Sequence, residues 1–284
     1  MVKQLAPDSL KKLPDGSLIQ HGPLNDRIYL MRLGKGASIS MPADLISMAR
    51  RHDYSKIFAK VPAEHAKKFL RAGYEIEAAI PGLYKGAETG IFMGYYLNDQ
   101  RAIEQKAAVL DKILRIALSK SGSTISSLDS DLFAQKKCTE NDVEAMASIY
   151  KTVFQTYPFP IHDPSYLLDS MQKDVDYFGA EKKGDLVALS SAEVDEKALN
   201  VEMTDFATLP KWRGKSLSIN LLLRMEKEMK KKEIKMAYTI ARAASIGMNI
   251  VFSKLGYKFG GRLKNNTNIS GNVESMNIWY KRIC

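Results

Sequence analysis

Residues 199–225 read LNVEMTDFATLPKWRGKSLSINLLLRM, and their pattern predicts a strand, a turn and a helix. The first ten residues have the composition of a strand, and after Pro210 a short basic turn leads into a helical pattern that continues to about Lys232. The inward positions of that helix are Leu217, Leu221, Leu222, Met225 and Met229. A helix N-terminus carries unpaired N–H groups and the positive end of the helix dipole, so the turn predicts a phosphate site.

The turn KWRGKSLS has the residues that an anion site needs. Gly214 lets the backbone approach an anion without a Cβ, and Ser216 and Ser218 are small. Arg213 and Lys215 place positive charge beside the phosphates. A basic loop that only caps an amphipathic helix would have the same sequence, so the turn is weak evidence when taken alone.

The flanking sequence predicts an α/β fold with a mixed sheet. Helices are expected after Thr139, after Pro164, over the stretch that follows Gly214, and over residues 246–255. The predicted strands cover residues 133–137, 175–181, 185–194, 199–208, 235–242, 257–263 and 275–282. A crossover helix joins the fourth and fifth of these strands, which are therefore expected to be parallel neighbours.

A polar, serine-rich segment at residues 120–131, KSGSTISSLDSD, marks a domain boundary. It predicts an N-terminal α/β domain over residues 1–128 and a second domain over residues 129–284. The helix before it is expected to bury one face, formed by Ile103, Ala107, Leu110, Leu114 and Leu118.

The first domain has features of a partial copy of the second. At an offset of 183 residues, five identities fall within the same order of strand, helix, strand and strand. They pair Ile57 with Ile240, Phe69 with Phe252, Gly73 with Gly256, Tyr74 with Tyr257, and Met93 with Met276. The alternative, an unrelated α/β domain, stays open.

Composition excludes several other classes of protein. The net charge of +10 is spread along the chain among acids, so we expect no nucleic-acid surface, and an anionic cofactor is a sufficient use for it. Cys138 and Cys284 are predicted to be free thiols, and no metal site is expected. Without a signal region or a long apolar run, the chain is expected to be soluble and cytoplasmic, with no membrane contact. A homodimer stays open.

Residues 199–225 resemble motif A of the GNAT superfamily of N-acetyltransferases, R-x-x-G-x-G/A, with Arg213 at the leading position. Ser216 and Ser218 stand where glycine and glycine or alanine are usual. The sequence SIGMNIVFSKLGY, residues 245–257, resembles motif B. The resemblance implies acetyl-coenzyme A as co-substrate and no metal. It assigns the cofactor to Phe206, Ala207, Thr208, Arg213, Gly214, Lys215, Ser216, Leu217, Ser218, Asn249 and Phe252.

The resemblance also implies a general base. Glu202 matches the glutamate that several members use, usually through a water, to take a proton from the amine. In a regular strand its side chain points away from Asp205, so no dyad is expected. Many members have a tyrosine acid where this chain has Phe252. Either Tyr257, Tyr238 or water serves instead, or no acid is needed, because a thiolate is already a tolerable leaving group.

Four further segments are similar to the β-lysine N6-acetyltransferase family. They are residues 74–97, 153–171, 245–257 and 265–281. The resemblance implies acetylation of the N6 amine of β-lysine, which gives the osmolyte N6-acetyl-β-lysine. Tyr157, Phe159, His162 and Asp163 are the candidate substrate residues, and Asn265, Asn266 and Asn277 either line the same cleft or only shape a hairpin.

Two alternatives remain at this level. One is a GNAT enzyme that acts on a protein N-terminus or on another small amine. The other is a degenerate GNAT domain that binds coenzyme A or nucleic acid as a regulator, which the serine at position 216, the phenylalanine at position 252 and a pI near 9.3 would favour.

Overall fold

A computed structural model describes residues 7–125, 128–173 and 175–284. The elements of the first half are β1 (Ser9–Lys12), β2 (Leu18–Gly22), β3 (Arg27–Arg32), α1 (Met41–Arg51), β4 (Lys56–Pro62), α2 (Ala63–Arg71), β5 (Glu75–Tyr84), β6 (Glu88–Tyr96), α3 (Asp99–Ala102) and α4 (Ala107–Leu118). Those of the second half are β7 (Ala134–Lys137), α5 (Val143–Val153), α6 (Pro164–Met171), β8 (Val175–Lys182), β9 (Asp185–Asp195), β10 (Asn200–Thr208), α7 (Leu217–Lys231), β11 (Met236–Arg242), α8 (Ile246–Lys254), β12 (Lys258–Ile269) and β13 (Asn272–Arg282).

All thirteen strands belong to one sheet, in the order β1-β2-β3-β4-β6-β5-β12-β13-β11-β10-β9-β8-β7. The mixed α/β fold is confirmed, and β10 and β11 are parallel neighbours joined by the crossover helix α7, as predicted. In the second half α7 and α8 cover one face of the sheet, and α5 and α6 cover the other. No helix in the described ranges is long and apolar enough to cross a membrane.

The two halves of the sheet have the same topology. The order β1-β2-β3-β4-β6-β5 in the first half corresponds to β8-β9-β10-β11-β13-β12 in the second. In each half one parallel pair, β3 with β4 and β10 with β11, is connected through a helix, α1 or α7. Three of the five residue identities fall in corresponding strands and helices, as with Phe69 in α2 and Phe252 in α8, and the other two fall in the corresponding turns, between α2 and β5 and between α8 and β12.

The halves meet edge to edge where β5 pairs with β12 at Ala78 and Gly261. Gly261 has φ +140°, and a Cβ at this position would come within 2.3 Å of the Glu77 carbonyl oxygen, so only glycine allows this approach. An apolar cluster that includes Tyr29, Phe58 and Tyr238 packs residues of both halves together. The sheet thereby brings one face of β3 and β4 close to β10 and β11.

The helix before the polar segment differs from its prediction. α4 begins only at Ala107 and packs against α8, so Ile103 lies before it and is half exposed. Leu110 and Ala117 are the buried positions, whereas Leu118 is exposed. Two serines of the polar segment, residues 126 and 127, lie outside the described residues. Cys138 and Cys284 are free thiols, as predicted.

Candidate active site

β10 and β11 separate in the middle of the sheet. They pair from Asn200 and Met236 to Glu202 and Tyr238, yet β10 continues to Thr208 and β11 to Arg242. Beyond Glu202, β10 keeps its pairing with β9 on the other side only. A wedge-shaped gap therefore opens between β10 and β11 beyond Glu202, and we call it the wedge. The edge of β10 that faces this wedge presents backbone N–H and C=O groups, with which a ligand that has amide groups can pair.

A β-bulge in β10 changes the direction of Asp205. Its φ is +53°, and the register with β9 shifts between Thr204 and Ala207. Asp205 Oδ2 accepts a hydrogen bond of 2.6 Å from Ser191 Oγ, and Oδ1 accepts one from the Tyr157 hydroxyl. The expectation that Glu202 and Asp205 point to opposite faces was wrong, because the bulge adds a residue to the alternation. Both carboxylates line the same cavity.

Three carboxylates converge at the narrow end of the wedge: Glu193, which pairs with Glu202 across β9 and β10, Glu202 itself, and Asp205. Burial raises the pKa of each, and for Glu193 the charges of Glu202 and Asp205 raise the pKa further. Like charges in a shielded space favour the binding of a cation or of a proton. We call these three residues the carboxylate cluster.

Lys60, on β4 of the first half, opposes the carboxylate cluster. Its Nζ donates a hydrogen bond of 2.9 Å to the Tyr238 hydroxyl, and the Tyr238 hydroxyl lowers the pKa of Glu202. Burial lowers the pKa of Lys60, whereas the charge of Glu202 raises it. In return Lys60 lowers the pKa of Glu202, against the larger effect of burial. The sequence gives one signal for this residue, a lysine inside the apolar strand KIFAKVP, and the prediction missed it.

A cavity of about 1170 Å³ runs from the wedge to the first half of the chain. Its lining includes Gln20, Arg27, Tyr29 and Lys60 of the first half, none of which was predicted from the sequence. The first half therefore forms a wall of the same cavity that holds the carboxylate cluster.

The turn before α7 has the geometry of an anion site. Ser216, directly before the helix, lies in the left-handed region with φ +59°, and Gly214 has φ +77°. A Cβ at Gly214 would meet no atom within 4 Å, so the space beside this backbone is open. Gly214, Ser216 and Ser218 line the cavity, and the first N–H groups of α7 have no partner within the helix. The turn fits a pyrophosphate.

The corresponding turn in the first half, before α1, is closed. Gly36 N donates to the Asp15 carbonyl oxygen at 3.3 Å, and Gly34 N donates to Ser17 Oγ at 2.8 Å. A Cβ on Gly34 would come within 2.2 Å of the Asp15 carbonyl oxygen. Because these N–H groups are already used, the first half does not repeat the anion site of the second half.

Most of the predicted site residues border the cavity. Those that line it are Tyr157, Phe159, Glu202, Phe206, Thr208, Arg213, Gly214, Ser216, Leu217, Ser218 and Phe252. Among the residues that the structure describes, Ala207, Lys215, Asn249, His162 and Asp163 are not part of the lining. The bulge directs Ala207 into the core beside α5.

Two of the residues outside the lining, Asn249 and Asp163, make structural hydrogen bonds. Asn249 is fully buried, and its Nδ2 donates to the carbonyl oxygens of Arg242 and Ser245. Its Oδ1 accepts from Trp279 Nε1, so the side chain fixes the loop between β11 and α8. Asp163 caps α6 by accepting from Ser165 N.

The Phe252 side chain forms an apolar part of the cavity wall and has no proton to donate to the leaving thiolate. Its ring contacts Phe206 edge to face at 5.7 Å and Tyr257 at 5.1 Å. Of the two tyrosines considered as replacements for the missing acid, Tyr238 lines the cavity, whereas Tyr257 is not among the lining residues of the described chain.

A wedge between parallel strands that opens beside the N-terminus of the crossover helix is the arrangement of the GNAT class of N-acetyltransferases, and the chain is of this class. It is 41% identical over 265 residues to the β-lysine N(6)-acetyltransferase of Methanococcus maripaludis, covering 93% of this chain and 96% of that protein. The enzyme of the same name from Methanosarcina mazei is 33% identical over 259 residues, covering 84% of this chain and 95% of that protein. The chain belongs to the β-lysine N6-acetyltransferase family.

The other comparisons are with protein-family models and with solved structures. No protein-family model matches the sequence. The ribosomal-protein-S18-alanine N-acetyltransferase of Escherichia coli aligns with a TM-score of 0.47 at 15% identity, over 54% of this chain and 94% of that chain.

Proposed function

We propose that this chain transfers an acetyl group from acetyl-coenzyme A to the N6 amine of β-lysine. The observation that carries the proposal is the carboxylate cluster at the narrow end of the wedge, a few residues along β10 from the phosphate turn. A ligand with a free ammonium group suits this cluster, and two relatives that match nearly their whole length are β-lysine N6-acetyltransferases.

The turn before α7 holds the coenzyme. Gly214, Ser216 and the first N–H groups of α7 bind the pyrophosphate, and Arg213 adds charge at the rim, where its Nε donates to the Thr208 carbonyl oxygen at 3.3 Å. The coenzyme supplies the acetyl group as a thioester. Backbone N–H groups between Phe206 and Thr208 pair with its amides and polarise the carbonyl that is attacked.

Glu202 removes a proton from the substrate. An alkyl ammonium has a pKa near 10.4, so at neutral pH fewer than about one amine in a thousand carries the lone pair needed for attack. The raised pKa of Glu202 makes it a better proton acceptor than an exposed glutamate. The charge of Lys60 keeps Glu202 ionised while no substrate is bound. Glu193 and Asp205 attract the ammonium group to the same place.

We further propose that the chain has two domains with different roles. Residues 129–284 form the acetyltransferase domain, and residues 1–128 form a domain of the same topology that has lost its anion site. The first domain contributes Lys60 and one wall of the acceptor cavity.

The test is an acceptor panel. The purified protein is incubated with acetyl-coenzyme A and, separately, β-lysine, lysine, spermidine and a peptide, and thiol release is measured. The proposal expects the highest kcat/KM with β-lysine. Preference for spermidine or the peptide would point to a different GNAT acceptor, and no release with any amine would favour a coenzyme-binding regulator.

A further inference from the structure

The end of the cavity formed by the first half contains a buried arginine without a counter-ion. Arg27 is 3% exposed, and no carboxylate of the described residues forms an ion pair with it. Asp8 attracts it electrostatically, but the Asp8 oxygens accept hydrogen bonds from Leu24 N and Asn25. An unpaired buried charge is costly, and proteins usually retain one only where a partner arrives.

Arg27 lines the cavity from β3, and only part of its guanidinium is hydrogen-bonded. Its Nη1 is fixed by the carbonyl oxygen of Asn266 and by Thr267 Oγ1, the latter at 3.1 Å. Within the described residues the buried Nε has no hydrogen-bond partner, and Nη2 donates no hydrogen bond. Nε and Nη2 together are the pair of donors that binds a carboxylate in a bidentate manner.

Two amide oxygens without partners lie at the same end of the cavity. Gln20 Nε2 donates to the Pro158 carbonyl oxygen at 2.9 Å, which leaves Oε1 as a buried acceptor with no donor. Asn266 Oδ1 is likewise buried and unpaired. Gln20 and Asn266 are each 1% exposed, and both line the cavity with Arg27. Buried polar atoms are rarely left unsatisfied, so three in one place indicate a missing polar ligand.

These atoms complement a zwitterion. Two amide oxygens accept from an ammonium group, and the guanidinium edge donates to a carboxylate. We infer that Arg27, Gln20 and Asn266 bind the amino and carboxylate head group of the acceptor amino acid. The inference rests on the proposed function and adds that the first half selects acceptors which are free amino acids.

Arg27 and Lys60 lie at different positions along the sheet. Arg27 pairs with Lys56 across β3 and β4, and Lys60 lies four residues further, about 13 Å along the strand. Both residues line the same cavity, which therefore extends from Arg27 to the carboxylate cluster that Lys60 opposes.

An aromatic floor connects the two ends. The Tyr29 and Phe58 rings stack at 4.4 Å, and the Arg27 guanidinium lies 5.5 Å from the first ring and 5.7 Å from the second. Both rings line the cavity, where they can contact the methylene groups of the acceptor. A cation over two aromatic rings is partly stabilised without any ligand, so the experiment must separate this structural role from head-group binding.

The experiment uses three acceptors that differ by one group. β-Lysine has the carboxylate and both amines, 1,4-diaminopentane replaces the carboxymethyl group by a methyl group, and 6-aminohexanoate lacks the C3 amine. We expect Arg27→Met to lower kcat/KM for β-lysine about 100-fold, mainly through KM, and to change that for 1,4-diaminopentane less than about threefold. The KM for acetyl-coenzyme A should be unchanged.

Two further variants and a matched control complete the set. Arg27→Lys keeps the positive charge but lacks the planar pair of N–H donors, so it should recover part of the kcat/KM for β-lysine that is lost in Arg27→Met. Gln20→Leu should reduce the preference for β-lysine over 6-aminohexanoate. Tyr74→Phe, which removes a buried hydroxyl of the first half that donates to the Pro42 carbonyl oxygen at 3.1 Å, should leave all acceptor ratios unchanged. Equal losses with β-lysine and 1,4-diaminopentane in Arg27→Met would overturn the inference.

Calorimetry with 6-aminohexanoate separates this inference from the proposed function. Binding by the wild type that is at least tenfold weaker in Arg27→Met supports the head-group site even if the preferred acceptor is another amino acid. Equal affinities of the two proteins, or no wild-type binding, would overturn it.

Discussion

Lys60 of the first half donates a hydrogen bond of 2.9 Å to the hydroxyl of Tyr238 in the second half. Tyr238 is the last β11 residue paired with β10, and its partner in that pair is Glu202. The point at which the two parallel strands separate is therefore also a point at which side chains of the two halves are in contact. This contact places a cation of one half beside the proposed base of the other.

Replacing Glu202 by Gln tests the proton acceptor. Glutamine cannot take the proton, so kcat near pH 7 should fall about 100-fold, and the loss should shrink at high pH where more of the amine is already neutral. The measurement is kcat between pH 6 and pH 10, with Glu233→Gln, on the exposed surface after α7, as the control. A parallel pH profile in Glu202→Gln and wild type would remove Glu202 from this role.

Replacing Lys60 by Met tests the charge that keeps the base ionised. Lys60 lowers the pKa of Glu202, so its loss should move the acidic limb of the kcat/KM profile to higher pH. Lys67→Met, on the exposed side of α2, is the matched control. If the acidic limb stays in place in Lys60→Met, Lys60 does not act on the base.

Replacing Ser216 by Gly tests the phosphate turn. A serine in the left-handed region costs about 1 kcal/mol relative to glycine, so the variant should melt about 2 °C higher. It should also lower the KM for acetyl-coenzyme A, because the side chain beside the phosphate is removed. Gly214→Ala, which adds a Cβ at φ +77°, should do the opposite. An unchanged KM in both variants would mean that the phosphates bind elsewhere.

Replacing Glu193 by Gln tests the carboxylate cluster through stability. The pKa of Glu193 is raised in the folded state, so the folded protein binds a proton more tightly than the unfolded chain. Stability is therefore lost as the pH rises from the ordinary pKa of 4.5 to the raised value. The variant should melt higher than the wild type at pH 8, by about 2 °C or more, and similarly to it at pH 4. A lower melting temperature at pH 8 would contradict the raised pKa.

The sequence predicted the second half closely because its signals are local. Alternating strands, the capping residue Thr139 and the crossover after Pro210 were sufficient for the element order and for the parallel pair. Two kinds of information were missing. The bulge at Asp205 depends on backbone pairing with β9, which a regular alternation does not reveal. Asp163 has a side chain suited to binding an ammonium group but caps α6 instead.

The contribution of the first half depends on contacts that are distant in sequence. Arg27 reaches its hydrogen-bond partner Asn266 across 239 positions, and Lys60 reaches Tyr238 across 178. No local pattern encodes such contacts. The sequence does contain one signal for these two residues, which is a charged residue in an otherwise apolar strand. Arg27 begins the strand RIYLMR, and Lys60 lies within KIFAKVP. A buried charge in such a strand implies a function.

The position of the acetyl group on the product tests the proposed function most directly. Carbon-13-labelled acetyl-coenzyme A and β-lysine are incubated with the purified protein, and the product is analysed by two-dimensional NMR. We expect a single amide at N6, because the head group with the C3 amine is held by Arg27, Gln20 and Asn266 while N6 reaches Glu202. Acetylation at the C3 amine, or no labelled amide at all, would contradict it.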